Sequence, residues 1–309
     1  MSTDPLARWE TSAHKLAEGA WCWLGAVHRD FALDPLAVPE QLDLVRDLKP
    51  LGELALAGSL AVREGVTGGH GARVASALVA FAWEQFRAGE LLFELLRDRP
   101  MELFPLDTYA IFVRAGYRHP GLEALLAHLA GLRATRSPEV VPNRALGTAN
   151  SERLVGLPAR WDTTELAART LLGAYPEPWA VDLDALYAIT HTVYHLTDWA
   201  ARPNGLPAPL QDYLHAWLPV WLEVYLEAGH WDVVAELLVV DLCLAQPAYP
   251  APAWTRLRAA QHADGLLPAE AWRDTRTTKN LVRNHYHSGV VATIAGTLGV
   301  ARRLDPHRR

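Results

Sequence analysis

Two histidines and an aspartate are spaced so that a helix would carry them on one face. They are His191, His195 and Asp198, in a segment that begins at Asp184. Positions i, i+4 and i+7 of an α-helix lie along one side. Two imidazoles one turn apart commonly hold a divalent metal, and a carboxylate completes the ligand set or orients an imidazole. The spacing therefore predicts a metal or catalytic site, with a ligand-free polar network in the core as the alternative.

Two further groups of residues extend this prediction. Tyr187 and Tyr194 stand beside the histidines on the same predicted helix, where they are expected to position a substrate. Near the C-terminus, His285 and His287 would point about 200° apart on a helix, so only one of them faces the interior. His287 is favoured because an apolar stripe continues its side of the helix. Together with the first pair of histidines it would form a three-histidine, one-carboxylate site of the kind that binds Zn, Fe, Mn or Cu.

A third candidate, Asp241, lies inside the apolar run from Leu237 to Leu244. An unpaired buried carboxylate is costly, so this residue needs a hydrogen-bonding partner or a shifted pKa. Two roles are therefore expected for it. It acts either as a general base or supporting residue of the site, or as an acceptor of hydrogen bonds at the end of a helix.

The composition excludes several classes of protein. The chain has 309 residues and a formal net charge of −6 at pH 7, whereas nucleic-acid binders usually carry a basic excess. No apolar run approaches the roughly 18 residues that a membrane span needs, and no signal peptide opens the sequence. Neither a phosphate-binding glycine loop nor a GxSxG nucleophile motif is present. We therefore expect a cytoplasmic protein that binds a small molecule and keeps its two cysteines reduced.

Helical periodicity runs along the whole chain, and no segment alternates in the manner of a strand. The helices that carry the candidate residues are predicted at 182–201, 230–245 and 276–302. The first two are apolar around most of their circumference, which is typical of helices buried between an outer layer and an interior. About a dozen such helices predict an all-α fold, an α/α toroid formed by a single domain over residues 1–309. The polar stretch 134–158 is expected to be irregular and is the alternative boundary between two domains.

Three segments resemble an uncharacterised actinobacterial family of unknown function. They are 188–198 with its two histidines, 284–288 around His287, and 141–146, where the sequence is Val-Pro-Asn-Arg-Ala-Leu. The resemblance extends from about residue 100 onward and implies an α/α toroid, often encoded near natural-product biosynthetic genes. By analogy it selects His195, Asp198 and His287 as site residues. Ser288 departs from the family pattern, in which threonine is expected, and leaves the histidines untouched.

These observations favour a metal-dependent tailoring enzyme of bacterial secondary metabolism that acts on a small, partly apolar substrate in the toroid lumen. The three histidines would ligate the metal, and Asp198 would complete or orient the set. One alternative is a non-catalytic scaffold or ligand-binding protein whose histidines form a satisfied polar network. A metal-free enzyme that uses a His–Asp pair for acid–base chemistry is the other.

Overall fold

The computed structural model describes residues 5–65, 68–137, 139–271 and 278–304. Over these residues the protein consists of thirteen α-helices with no β-strand, so the prediction of an all-α chain is confirmed. The helices are α1 (Pro5–Val27), α2 (Lys49–Glu64), α3 (Gly69–Gln85), α4 (Glu90–Asp98), α5 (Phe104–Arg114), α6 (Pro120–Ala130), α7 (Pro142–Val155), α8 (Thr163–Ala168), α9 (Leu183–Thr197), α10 (Ala208–Ala228), α11 (Trp231–Cys243), α12 (Ala251–Ala260) and α13 (Thr278–Leu304). None of these helices is long and apolar enough to cross a membrane.

Aspartate side chains cap the starts of two helices. The Asp162 carboxylate accepts hydrogen bonds from two backbone amides at the start of α8, and Asp182 does the same for one amide of α9. These bonds satisfy N–H groups that have no partner inside the helix. Gly156 ends α7 with a φ of 85°, in the left-handed region that glycine adopts without steric cost.

Two predicted boundaries are wrong. Most of the 134–158 stretch is the helix α7, which Pro142 opens, rather than an irregular segment. The helix predicted at 182–201 ends at Thr197, and Asp198 follows it in the left-handed region with a φ of 46°. The cause is a contact from a distant part of the chain. Arg63 donates hydrogen bonds to the carbonyls of Asp198 and Trp199, at 2.8 and 2.6 Å, and thereby holds the turn.

Six helices contact one another in a closed order. Helix α13 packs against α2, α2 against α5, α5 against α7, α7 against α9, α9 against α11, and α11 again against α13. Most of the remaining helices lie beside this ring, with α1 on α13, α3 on α2, α8 on α7 and α10 on α11. Helix α11 is buried on every side, from Asp232 to Cys243, because it is packed between ring neighbours and the outer helices.

Like ends of several ring helices come together. The N-terminal halves of α2, α11 and α13 meet in a group of acidic and histidine side chains, described below. The C-terminal ends of α2, α5 and α7 meet at the end of α9, where Arg63, Arg114 and Arg153 all contact Asp198. This distribution matches the helix dipoles, because carboxylates are stabilised near N-termini and cations near C-termini.

Candidate metal centre

Two carboxylates on α11 form the base of the site. Asp232 and Glu236 are four residues apart and therefore share one face of the helix. Their exposed fractions are 6% and 1%, although they belong to a helix that is otherwise almost entirely apolar. Charges this deeply buried require partners or a bound cation. The face that they share is directed at α9 and α13, which pack on either side of α11.

His287 of α13 completes a group of potential ligands. Its Nε2 lies 3.3 Å from a Glu236 oxygen and 3.9 Å from an Asp232 oxygen. Asp232, Glu236 and His287 each offer an atom within 4.8 Å of the other two, a spacing at which one metal ion can bind all three. The other ring nitrogen, Nδ1, lies 3.0 Å from a carboxylate oxygen of Glu53 on α2. An imidazole that ligates a metal usually donates its second N–H to a carboxylate in this way.

The remaining oxygens of the two α11 carboxylates have different surroundings. The Tyr187 hydroxyl donates to Oδ2 of Asp232 at 2.6 Å, and the Thr190 hydroxyl donates to Oε2 of Glu236. Oδ1 of Asp232 is buried without a hydrogen-bond partner in the described part of the chain. A buried carboxylate oxygen left without a donor is costly, and a cation held beside His287 would satisfy it.

The local electrostatics also favour a cation. Burial would raise the pKa of Glu236, but the His287 and His191 imidazoles outweigh it and hold that pKa below its usual value. Burial dominates at Asp232 and raises its pKa. Although burial alone would lower the pKa of His287, hydrogen bonds to Glu236 and Glu53 raise it well above the ordinary value. Three carboxylates therefore surround a single imidazole, and this excess of negative charge in a poorly solvated space attracts a cation.

His191 lies beside the group, and its ring is oriented toward a ligand-binding role. Its Nδ1 donates to the carbonyl of Tyr187 at 2.7 Å, which leaves Nε2 free to accept a proton or bind a metal. The imidazole lies close enough to lower the pKa of Glu236 and of Glu53. His191 is not one of the three residues whose ligand atoms lie within 4.8 Å of one another.

His195 is one turn farther along α9, with its ring centre 6.2 Å from that of His191. Gly147 of α7 makes room for it, because a Cβ at that position would lie 3.0 Å from Cε1 of the imidazole. Burial, with smaller contributions from His191 and Arg144, lowers the pKa of His195 to about 3. The ring is therefore neutral at pH 7, and it lies outside the Asp232, Glu236 and His287 group.

The other three predicted site residues make contacts of a structural kind. Asp198 does not continue the face of α9, because the helix has already ended, and its carboxylate binds Arg114 and Arg153. The Tyr194 hydroxyl donates to the backbone carbonyl of Glu236 at 2.8 Å. Asp241 accepts hydrogen bonds from the backbone amides of residues 248 and 249, at 2.8 and 3.0 Å, which is the helix-end arrangement.

Sequence reasoning did not identify Glu53, Asp232 or Glu236 as site residues. The available signal was the position of these acids within apolar helices rather than any familiar motif. Asp232 and Glu236 are one turn apart in a helix whose other buried positions are almost all aliphatic, and Glu53 is flanked by leucine and glycine. The paired histidines of α9 form a more familiar motif than these acids do.

A cavity of about 1060 Å³ adjoins the site at the N-terminal end of α13. Its walls come from the segment 30–50 and from Val282, Arg283 and Tyr286. Phe31 and Tyr286 meet edge to face there, with ring centres 5.8 Å apart. Burial and the nearby Glu53 carboxylate raise the pKa of Tyr286. Tyr286 therefore lies between the cavity and the carboxylate group and connects the two.

This fold and this site characterise an all-α protein with a buried group of carboxylate and imidazole ligands. The chain belongs to the family described as domain of unknown function DUF6895, whose sequence model matches residues 17–297. That range includes every residue of the candidate centre. No curated protein and no solved structure matches the chain.

Proposed function

We propose that this protein is a divalent-metal-dependent enzyme in which Asp232, Glu236 and His287 are the metal ligands. The observation that carries the proposal is the convergence of these three buried side chains within 4.8 Å. The unpartnered Oδ1 of Asp232 supports it, because a bound cation would satisfy this buried oxygen. Two carboxylates and one imidazole suit Mn, Fe or Zn better than a metal that prefers sulfur.

The residues around the ligands fit this role. Glu53 orients His287, Tyr187 orients Asp232, and Thr190 orients Glu236, each through a hydrogen bond to the ligand side chain. Such supporting bonds fix the direction of the ligand atoms and tune metal affinity. A bound divalent ion would polarise a substrate oxygen or acidify a water molecule.

Residues next to the ligands would then transfer protons and position the substrate. His191 directs its Nε2 away from the Tyr187 carbonyl and would accept a proton from the substrate or from water. The phenol of Tyr286 faces both the cavity and Glu53 and would hold a substrate against the centre. The cavity walls combine aromatic and aliphatic residues with charged ones such as Asp30, Asp47 and Arg283, which suits a small, partly apolar substrate that also carries polar groups.

The closed order of helix contacts supports an α/α toroid in which the proposed centre faces the lumen. A single domain of this type would include α7, which occupies the alternative domain boundary. Tailoring of a natural product, a cytoplasmic location and the absence of nucleic-acid or membrane partners are further parts of the proposal. They rest on the sequence and on the family resemblance.

A second candidate function is a non-catalytic, metal-free protein. It is favoured by one observation: both ring nitrogens of His287 lie at hydrogen-bonding distance from carboxylates, at 3.0 Å from Glu53 and 3.3 Å from Glu236. A protonated imidazole in this position would stabilise the buried acids without any metal.

Elemental mass spectrometry and calorimetric titration separate the two candidates. Wild-type protein purified without chelator is compared with a double variant, Asp232→Asn and Glu236→Gln, and with Asp198→Asn as a matched control for loss of a buried charge. The enzyme proposal predicts one metal per chain in the wild type and the control, and none in the double variant. Absence of metal in the wild type, together with no binding of added Mn²⁺, Fe²⁺ or Zn²⁺, would favour the metal-free network.

A further inference from the structure

A second cavity, of about 370 Å³, lies between α1, the start of α3 and the end of α13. It shares no residue with the proposed metal centre. Its volume falls at the lower end of the range that holds small organic ligands. The wall from α1 includes Trp21 and Cys22, the wall from α3 includes His70, and the wall from α13 includes Thr297.

The cavity contains a thiol next to an imidazole. Sγ of Cys22 lies 3.8 Å from Nε2 of His70, and Cys22 is exposed. The only other cysteine, Cys243, is buried in α11, where burial raises the pKa of its thiol to about 11. A thiol reacts as the thiolate and needs a base to remove its proton. His70 is placed to act as that base, so the two cysteines of the chain differ sharply in their surroundings.

The rest of the cavity suits a ligand that is largely apolar. Ala17, Trp21 and Val300 supply apolar surface. Gly68 leaves the mouth open, since a Cβ built there would meet nothing within 4 Å. In the wall, the Trp21 indole N–H and the Thr297 hydroxyl have no hydrogen-bond partner among the described residues. Both atoms are buried beneath the cavity surface, and a ligand acceptor oxygen that reached either of them would reduce the cost of leaving it unpaired.

We propose that this cavity binds small, apolar α,β-unsaturated carbonyl compounds and that Cys22 adds to them covalently. Nε2 of His70 takes the proton of the Cys22 thiol, and the sulfur electron pair forms a bond to the β-carbon of the ligand. The π electrons of the carbon–carbon double bond move to give an enolate, whose α-carbon then recovers the proton from His70. The product is a thioether. No group leaves, and the addition needs neither an oxidant nor a reductant.

Adduct formation with benzylideneacetone, followed by intact-protein and peptide mass spectrometry, tests the proposal. One adduct per chain is expected, located at Cys22, with a rate that levels off as the probe concentration rises because binding precedes addition. Cys22→Ser should remove the adduct. His70→Ala should slow addition on the order of 10²-fold, the lower end of what a positioned base contributes. His14→Ala is the matched control, because His14 lines the same cavity but contacts Glu18.

Gly68→Leu provides an independent test of the cavity. The side chain should enter the open mouth and slow the reaction with benzylideneacetone, while iodoacetamide, a smaller electrophile, still alkylates Cys22 at the wild-type rate. Circular dichroism establishes that each variant is folded. The proposal is overturned if the rate stays linear in probe concentration and equals that of a free thiol, or if His70→Ala and His14→Ala react alike.

Discussion

The carboxylate of Glu53 acts on the proposed centre through His287 rather than as a ligand. Its hydrogen bond to Nδ1 of His287, at 3.0 Å, leaves Nε2 directed at Asp232 and Glu236. Charge on Glu53 also makes the imidazole a more basic ligand. The metal affinity of the proposed centre should therefore depend on Glu53, although Glu53 would not touch the metal.

We predict that Glu53→Gln lowers metal affinity about 10- to 100-fold without abolishing binding, the usual effect of losing a supporting residue of this kind. Competitive titration against a chromogenic chelator measures the change. Glu40→Gln, at an exposed acid of the adjacent segment, is the control and should bind as the wild type does. Equal metal affinity in the Glu53 and Glu40 variants would show that Glu53 does not support the metal site.

At the scale of single residues, the sequence prediction and the proposed centre have His287 in common. His287 was chosen between two histidines because its side of the helix continues as an apolar stripe, and the structure places it against the α11 carboxylates. Asp232 and Glu236 were missed because buried acids give no local pattern of their own. Only the packing of α9 and α13 against α11 shows that these acids face a histidine rather than solvent.

The carboxylate of Asp198, at the end of α9, stabilises the fold and takes no part in the proposed chemistry. Asp198 has an exposed fraction of 5% and receives hydrogen bonds from Arg114, Arg153 and Asn150. Burial would raise the pKa of Asp198, but the nearby arginines, Arg114 first among them, hold it below its usual value. A carboxylate whose pKa is lower in the folded than in the unfolded state stabilises the fold at pH values above its pKa in the unfolded state. That stabilisation is lost as the pH falls through its pKa in the folded state.

We predict that Asp198→Asn lowers the free energy of unfolding at pH 7 by about 3–5 kcal/mol, because the buried Arg114 guanidinium loses its counter-charge. Asparagine tolerates the left-handed backbone of this position, so the variant tests charge alone. Denaturant unfolding should show a constant difference from wild type above about pH 5 that narrows as the pH falls below about 4, the ordinary pKa of an aspartate. A difference that is the same at pH 3 and pH 7 would contradict the assignment.

The contact between α1 and α13 depends on small residues. A Cβ at Gly296 would lie 2.7 Å from Cβ of Ala17 and 2.8 Å from the carbonyl oxygen of Ala13. Both values are below the approach that real side chains allow, so the two helices can pack this closely only around glycine.

We predict that Gly296→Ala destabilises the protein by about 1–3 kcal/mol, the usual cost of an extra methyl group in a packed contact. Urea denaturation measures the change. Gly69→Ala is the control, since its Cβ would meet only the end of the Arg73 side chain, at 3.5 Å. Equal stability of the two variants would show that α1 and α13 can separate at no cost.

Periodicity predicted the central part of α9, α11 and α13, because each has long apolar stretches that dominate its pattern. The end of α9 could not be predicted, since it depends on Arg63, which is 135 residues away in the chain. Helix α7 was missed for a different reason. Its sequence is rich in polar and small residues, and its apolar positions do not lie on one side of the helix. The composition of α7 is therefore typical of a loop, although α7 is one of the ring helices.

At the scale of the molecule, the centre joins helices that are far apart in sequence. His287 and Glu53 connect α13 to α2, and His287 with Glu236 connects α13 to α11. A bound metal would therefore fasten α11 to α13, and Glu53 would connect α2 to them through His287. The sequence predicted many helices with buried faces, but the order of their contacts depends on long-range packing that one sequence does not reveal.

We predict that metal at 100 times its dissociation constant stabilises the folded protein by about 2.7 kcal/mol. For a chain of 309 residues, the melting temperature should rise by roughly 4 °C, because the entropy of unfolding grows with chain length. Differential scanning fluorimetry of chelator-treated protein, with and without added metal, measures the shift. The double variant Asp232→Asn and Glu236→Gln should show none, and an equal shift in that variant would mean that metal binds elsewhere.

Anomalous diffraction from crystals soaked in Mn²⁺ or Zn²⁺ locates the metal. One strong anomalous peak is expected, about 2.0–2.2 Å from Nε2 of His287 and from oxygens of Asp232 and Glu236. A peak on His191 and His195 that leaves the α11 carboxylates unbound would contradict this expectation. So would the absence of any peak at metal concentrations that saturate binding in solution.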